Sequence, residues 1–386
     1  MVQTGVVDHA ERDSALDGVR GVAVLMILLL HGFTVAPHGP LTWLLHNVVE
    51  SMFIGVDLFF VLSGFLITSI LLRSRGAAGY FRQFYWRRSL RIFPAYLVLV
   101  FASCVLLPLR LDPASAQALR SELVPHLLYA QNLVAAARGP MPPELSHLWS
   151  LAIEEQFYLL WPLAVLLVPP RRLAAVCAGI FVASCLIDLA FYAAGASWLT
   201  LYVFTPCHVE GLAAGAWIAV RRTLHGEAAP PAWLRYAGIL AGLVLLGLGL
   251  SVSTVKLFDR DQVVLHNILA SVAFAALLYA VLAAPSGGWP RRLFRWRPLR
   301  FLGRYSYGIY LISWGMVLHL QYPLARRLGA WLPDNPAMLC AGLVVTSLCV
   351  LAAMLMFHAL ELPLLGLKER GPGRRSTAPA AVDASP

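Results

Sequence analysis

The chain has 386 residues, of which 59% are hydrophobic and 13% charged. Soluble domains carry about 25% charged residues, so a soluble globular protein is excluded and a polytopic membrane protein is expected. The net charge of +10 raises nucleic-acid binding only if the basic residues share one surface.

The first 13 residues read as a cytoplasmic segment. Asp8, Glu11 and Asp13 precede the first apolar run, and Asp17 lies at its start, where a secretory signal would be basic. That run, Leu16–Phe33, is therefore expected to be retained as a span. Arg20 and His31 lie eleven residues apart in it, close to a whole number of turns, so they share one helix face about 16 Å apart. Arg20 then sits at a membrane surface and His31 near the midplane. An ionisable group at that depth is costly and marks a functional site.

Apolar runs long enough to span, about 20 residues, fall at 21–37, 47–72, 93–110, 146–168, 173–194, 199–220, 233–253, 263–284, 304–322 and 337–362. An eleventh segment, 122–137, is shorter and holds Pro125, His126, Gln131 and Asn132. With ten spans and both termini inside, 23 of the 30 lysines and arginines fall on the inner side. An extra span at 122–137 would turn the arginine-rich loop at 291–304 outward, against the positive-inside rule. That segment is expected to be an interfacial or re-entrant helix in the outer loop. The basic charge is topogenic, and nucleic acid is dropped as a partner. The expected fold is an all-α integral membrane protein of about ten transmembrane helices, with a disordered cytoplasmic tail at 366–386 rich in Gly, Pro, Ala and Ser.

In the second run, Asp57 approaches the midplane and Ser63–Gly64 follow on the inner half. Asp57 has two readings, a partner for His31 or for another buried cation. Ser63–Gly64 reads as a close-packing pair or a reactive serine. Arg88 and Arg91, three apart in an inner loop after this run, suit either a phosphate-bearing ligand or a topogenic patch. The span 146–168 carries Glu154 and Glu155 at midplane depth, and two adjacent carboxylates in an apolar helix are hard to explain as packing. Glu154 shares a face with Ser150, Tyr158 and Trp161. Trp149 and Trp161 read as interface anchors, and the tyrosines of RYSYGIYL as belt aromatics. His208 and Glu210 lie below the outer end of span six, and Glu361 near the inner surface. The six cysteines lie in apolar runs without C-x-x-C spacing, so no disulfide framework or zinc site is indicated.

Arg20 with His31, FFVLSGF, RRSLRIFPAY, HLWSLAIEEQFYLLWP, RYSYGIYL and the closing ELP together resemble the acyltransferase-3 family, over about residues 14–365. The resemblance implies a multi-pass bacterial inner-membrane enzyme with no permanently bound cofactor and no metal. It would move an acyl group, most often acetyl, from cytosolic acyl-CoA to a hydroxyl of a surface glycan, lipid-linked sugar or macrolide-type acceptor. It marks Arg20, Arg88 and Arg91 for the donor and His31 and Glu154 for catalysis, with Asp57 as an alternative orienting residue. Ser63, Glu155, Glu210, Tyr307 and Glu361 are further candidates. The chain departs from the family pattern at Ser313, where a histidine is common, at His208, where an arginine is common, and at Leu362 in the closing motif. No fused extracytoplasmic domain is expected. His31 is expected to act as general base; an acyl-enzyme on His31 or Ser63 is the second mechanism. A secondary transporter is the rival function, since midplane charges also mark ion paths.

Overall fold

The computed structural model describes residues 14–226, 229–251 and 260–366. The N-terminal segment 1–13, the end of the 233–253 run and the tail from 367 lie outside the described residues. The described residues form helices joined by short connections, with no strand among them.

The principal helices are α1 (Ser14–Gly32), α2 (Gly55–Arg73), α3 (Tyr80–Phe101), α4 (Trp149–Leu167), α5 (Pro170–Ala193), α6 (Glu210–His225), α7 (Ala232–Ser251), α8 (Arg260–Ala283), α9 (Arg297–Met316) and α10 (Asp334–Met356). Pro170 and Pro298 sit in the first turns of α5 and α9, where the missing N–H has no partner to lose. Eight helical stretches among the described residues are long and apolar enough to cross a membrane. The expected runs 199–220 and 304–322 are helical but fall outside that set. The first is broken: a short helix at Trp198–Val203, capped by Ser197, ends at extended Phe204, Pro206 follows in a 3-10 turn, and α6 starts at Glu210. The second lies in α9, whose first turns carry Arg297, Arg300 and Arg304.

Two expectations are corrected here. Arg88 and Arg91 are not in a loop. They lie on α3, which runs from Tyr80 and is continued by π and 3-10 turns to Arg110. The aromatics are not belt residues either. Trp149, Trp161, Tyr305 and Tyr310 are buried; two of them find polar partners inside, Trp161 Nε1 donating to Thr68 Oγ1 at 2.8 Å and the Tyr310 hydroxyl to the His147 carbonyl. The segment 122–137 is no span. It forms short helices whose polar side chains fold inward. Gln131 Nε2 donates to the Leu148 carbonyl (2.9 Å), and Asn132 Nδ2 to the Val203 carbonyl (2.9 Å) and Thr205 (2.8 Å).

Small residues set how closely the helices approach. Gly21 of α1 faces the Leu299 carbonyl, and Gly303 of α9 faces the Asp17 carbonyl. Gly64 of α2 meets the Leu212 carbonyl, and Gly215 of α6 meets that of Val61. A Cβ at any of these positions would strike backbone. Within a membrane, association relies on such packing because lipid is as apolar as the side chains. These two crossings bring α1, α2, α6 and α9 together around a polar interior.

Candidate active site

A cavity of about 750 Å³ lies among α1, α2, α3, α4, α6, α8 and α9. The α4 sequence explains one wall. Ser150, Glu154 and Tyr158 recur every four residues and all line it. The α2 wall contributes Ser63, whose hydroxyl is hydrogen-bonded to the Tyr158 hydroxyl. Gly64, one residue on, faces α6 instead. The Ser63–Gly64 pair is thus divided between cavity and packing.

The donor candidates converge here. Arg20, Arg88 and Arg91 line the same cavity, although they come from α1 and α3. Arg20 Nη1 pairs with Asp17 Oδ1 at 2.9 Å. The Arg88 guanidinium lies over the Tyr158 ring, 3.9 Å from its centroid, with Glu154 and Glu155 close by. A planar guanidinium held on an aromatic face keeps its edge N–H groups available for oxyanions. Sequence reasoning missed three further lining arginines, Arg73, Arg222 and Arg291. In the sequence alone they count only as topogenic charge. Their signal was positional: each ends or follows a helix on the same side of the bundle as Arg20. Tyr307 also lines the cavity and donates to the Ile92 carbonyl at 2.6 Å. Glu361 is buried near Tyr307.

At the far end, the Tyr310 hydroxyl is 2.6 Å from Ser150 Oγ and donates to the His147 carbonyl at 2.5 Å. His31 lies beyond this pair. It does not line the cavity but a small void with Leu28, Ser313, Val317, Thr346 and Cys349. His31 Nδ1 is 3.0 Å from Ser313 Oγ, and its ring packs on Trp314 at 4.9 Å. Ser313 Oγ donates back to the Tyr310 carbonyl at 3.4 Å. Ser313 follows Tyr310 by three residues on α9, about 4.5 Å along the axis.

The expected pairing of His31 with Glu154 or Asp57 is therefore corrected. Glu154 lies with Ser63, Tyr158 and Arg88. Asp57 Oδ1 is 3.3 Å from His208 Nε2. The reason is topological. The break before α6 turns His208 toward the α2 helix, and α9 supplies Ser313 to His31 first. Glu210 joins Asp57 and His208, away from the cavity lining.

The chain matches the acyltransferase domain family over residues 13–354. YrhL of Bacillus subtilis, provisionally named a peptidoglycan O-acetyltransferase, is 32% identical over 92% of this chain and 55% of its own length. The peptidoglycan O-acetyltransferase OatA of Listeria monocytogenes is 27% identical over 91% of this chain and 55% of its own. The O-acetyltransferase OatA of Staphylococcus aureus is 26% identical over 90% and 56%. The chain thus spans about half the length of the curated relatives it matches. No solved structure matches it.

Proposed function

We propose a function from one premise: the chain belongs to the acyltransferase-3 family, whose domain it matches over most of its length. It catalyses O-acyl transfer across or within a membrane, taking an acyl group, acetyl in the simplest case, from acyl-CoA. The acceptor is a sugar hydroxyl of a cell-wall glycan or its lipid-linked precursor, as the names of its relatives suggest.

One observation carries the donor assignment: a single cavity gathers six arginines, Arg20, Arg73, Arg88, Arg91, Arg222 and Arg291, at one end of an apolar bundle. Its volume falls within the usual range of about 300–1,000 Å³ for small-molecule sites. Coenzyme A is a polyanion on a narrow arm. Its phosphates meet the arginines, which bind them bidentately. By the positive-inside rule this end faces the cytosol. The arm runs along the α4 wall toward Ser150 and Tyr310, with the thioester reaching the His31 side.

At His31, the hydrogen bonds support one assignment of the ring nitrogens. Ser313 donates its hydroxyl hydrogen bond to the Tyr310 carbonyl and accepts from His31 Nδ1–H. Nε2 is left with its lone pair and takes the acceptor hydroxyl proton. The acceptor oxygen attacks the thioester carbonyl carbon, and the C–S bond breaks. The departing thiolate takes the proton back from Nε2. Glu154 offsets the charge of Arg88 and keeps it on Tyr158, so its role is in holding the donor site. Transport, the rival function, finds no support in the family assignment.

The test is reconstitution of the full chain in vesicles with labelled acetyl-CoA and a lipid-linked muramyl disaccharide. Base-labile label on the sugar is expected. Hydrolysis of acetyl-CoA with no label on this or any glycan acceptor would contradict the reading.

A further inference from the structure

Away from the cavity, the interior holds a second polar cluster. Asp57 of α2, His208 in the break before α6 and Glu210 at the start of α6 are each 2% exposed or less. One donor atom from each lies within 4.8 Å of the others. Asp188 of α5 is buried beside them. Their charged and titratable neighbours are Asp188, the imidazole of His266, Tyr202, Cys185 and Cys207, with no lysine or arginine paired to the cluster among the described residues. Buried carboxylates without a cation are strongly disfavoured.

Hydrogen bonds satisfy only part of this cluster. Ser184 donates to Glu210 at 3.0 Å and Ser271 at 3.4 Å. Neither ring nitrogen of His208, nor Asp57 Oδ1, has a hydrogen-bond partner. The 3.3 Å between His208 Nε2 and Asp57 Oδ1 lacks hydrogen-bond alignment. It matches the edge of a tetrahedron with metal–ligand bonds of about 2.0 Å. The His208 ring is held from three sides, by Phe60 (5.3 Å), Trp149 (5.2 Å) and Tyr202 (5.6 Å). Its Nε2 is thereby aimed into the acidic cluster rather than free to turn away.

We propose that Asp57, His208 and Glu210 form a binding site for a divalent transition-metal ion, zinc or manganese in type. Two carboxylates and a neutral imidazole with a divalent ion leave no net charge. One imidazole among oxygen ligands selects against magnesium and calcium, which take oxygen-only sets. The three ligands come from α2, from the break before α6 and from the first residue of α6, so the ion acts as a cross-link that fixes the start of α6. No spacing motif marks the site, because Asp57 is remote in sequence from the His208-x-Glu210 pair.

The full chain, purified without chelator in detergent, is loaded with Zn²⁺, desalted and its metal content measured. The expected result is about one ion per chain in the wild type and under about a tenth in His208→Ala and Glu210→Gln. Zn²⁺ should raise the thermal midpoint of the wild type, and a chelator should lower it, by linkage to the folded state. His208→Arg places a fixed positive charge among the carboxylates, so it is expected to fold without metal and to show no Zn²⁺ response. A wild type that retains no more Zn²⁺ than His208→Arg, with an unmoved midpoint, overturns the proposal and leaves protons as the neutralising charge.

Discussion

His31 Nδ1 sits 3.0 Å from the hydroxyl of Ser313, a bond between α1 and α9 that no carboxylate shares. The histidine is therefore oriented by a neutral group. A Ser–His–carboxylate arrangement is absent there, and nothing in it stabilises an imidazolium by direct pairing.

Ser313→Ala should lower kcat about five- to tenfold, the value of one neutral hydrogen bond of roughly 1 kcal/mol, while KM for acyl-CoA holds. Because Ser313 acts through His31, Ser313→Thr should restore most of the rate. A fall in acyl-CoA affinity with kcat unchanged would show that Ser313 belongs to the donor site instead.

Arg88 is held face-on to Tyr158, and in the proposed donor site its loss removes a phosphate ligand. Arg88→Ala should raise KM for acyl-CoA by tenfold or more, on the order of the 1.5–3 kcal/mol of a charged hydrogen bond. Arg88→Lys should recover only part of this, since an ammonium lacks the planar fork. Steady-state kinetics at varied acyl-CoA would show it; an effect confined to the acceptor would refute the assignment. Arg222→Ala and Arg291→Ala should act in the same direction, because their side chains line the same cavity.

Gly64 and Gly303 support helix crossings rather than chemistry. Gly303→Leu should destabilise the fold by about 1–3 kcal/mol or more, as overpacking does. The thermal midpoint in detergent reads this directly, and an unchanged midpoint would mean the α1–α9 crossing is looser than its backbone contacts imply.

Asn132→Ala should loosen the outer loop. It would leave the Val203 carbonyl, Thr205 and Gln156 without their shared partner, at about 1–3 kcal/mol for buried unsatisfied groups. Faster proteolysis between residues 122 and 145, with donor binding intact, is the expected readout.

The helical class and three of the site's six arginines were legible in the sequence because membrane burial forces long apolar runs and makes a charge within or beside them conspicuous. Arg20, Arg88, Arg91 and Glu154 do share one cavity. What could not be read was which buried groups face each other. Asp57 and His31 lie at similar expected depths, and depth alone leaves open whether Asp57 partners His31 or another buried cation. The break at Pro206 and the rotation of α9 decide it, giving Asp57 to His208 and Ser313 to His31. The aromatics misled for a related reason. A tyrosine in such a run reads as an interface residue until a buried carbonyl, such as that of His147 or Ile92, accepts its hydrogen bond.

The most direct measurement is acyl transfer by His31→Ala in vesicles, alongside acyl-CoA binding by the same protein. With His31 as the base, transfer should fall at least about 100-fold while acyl-CoA binds as in the wild type. Near-normal transfer by a correctly inserted His31→Ala chain would place the chemistry elsewhere.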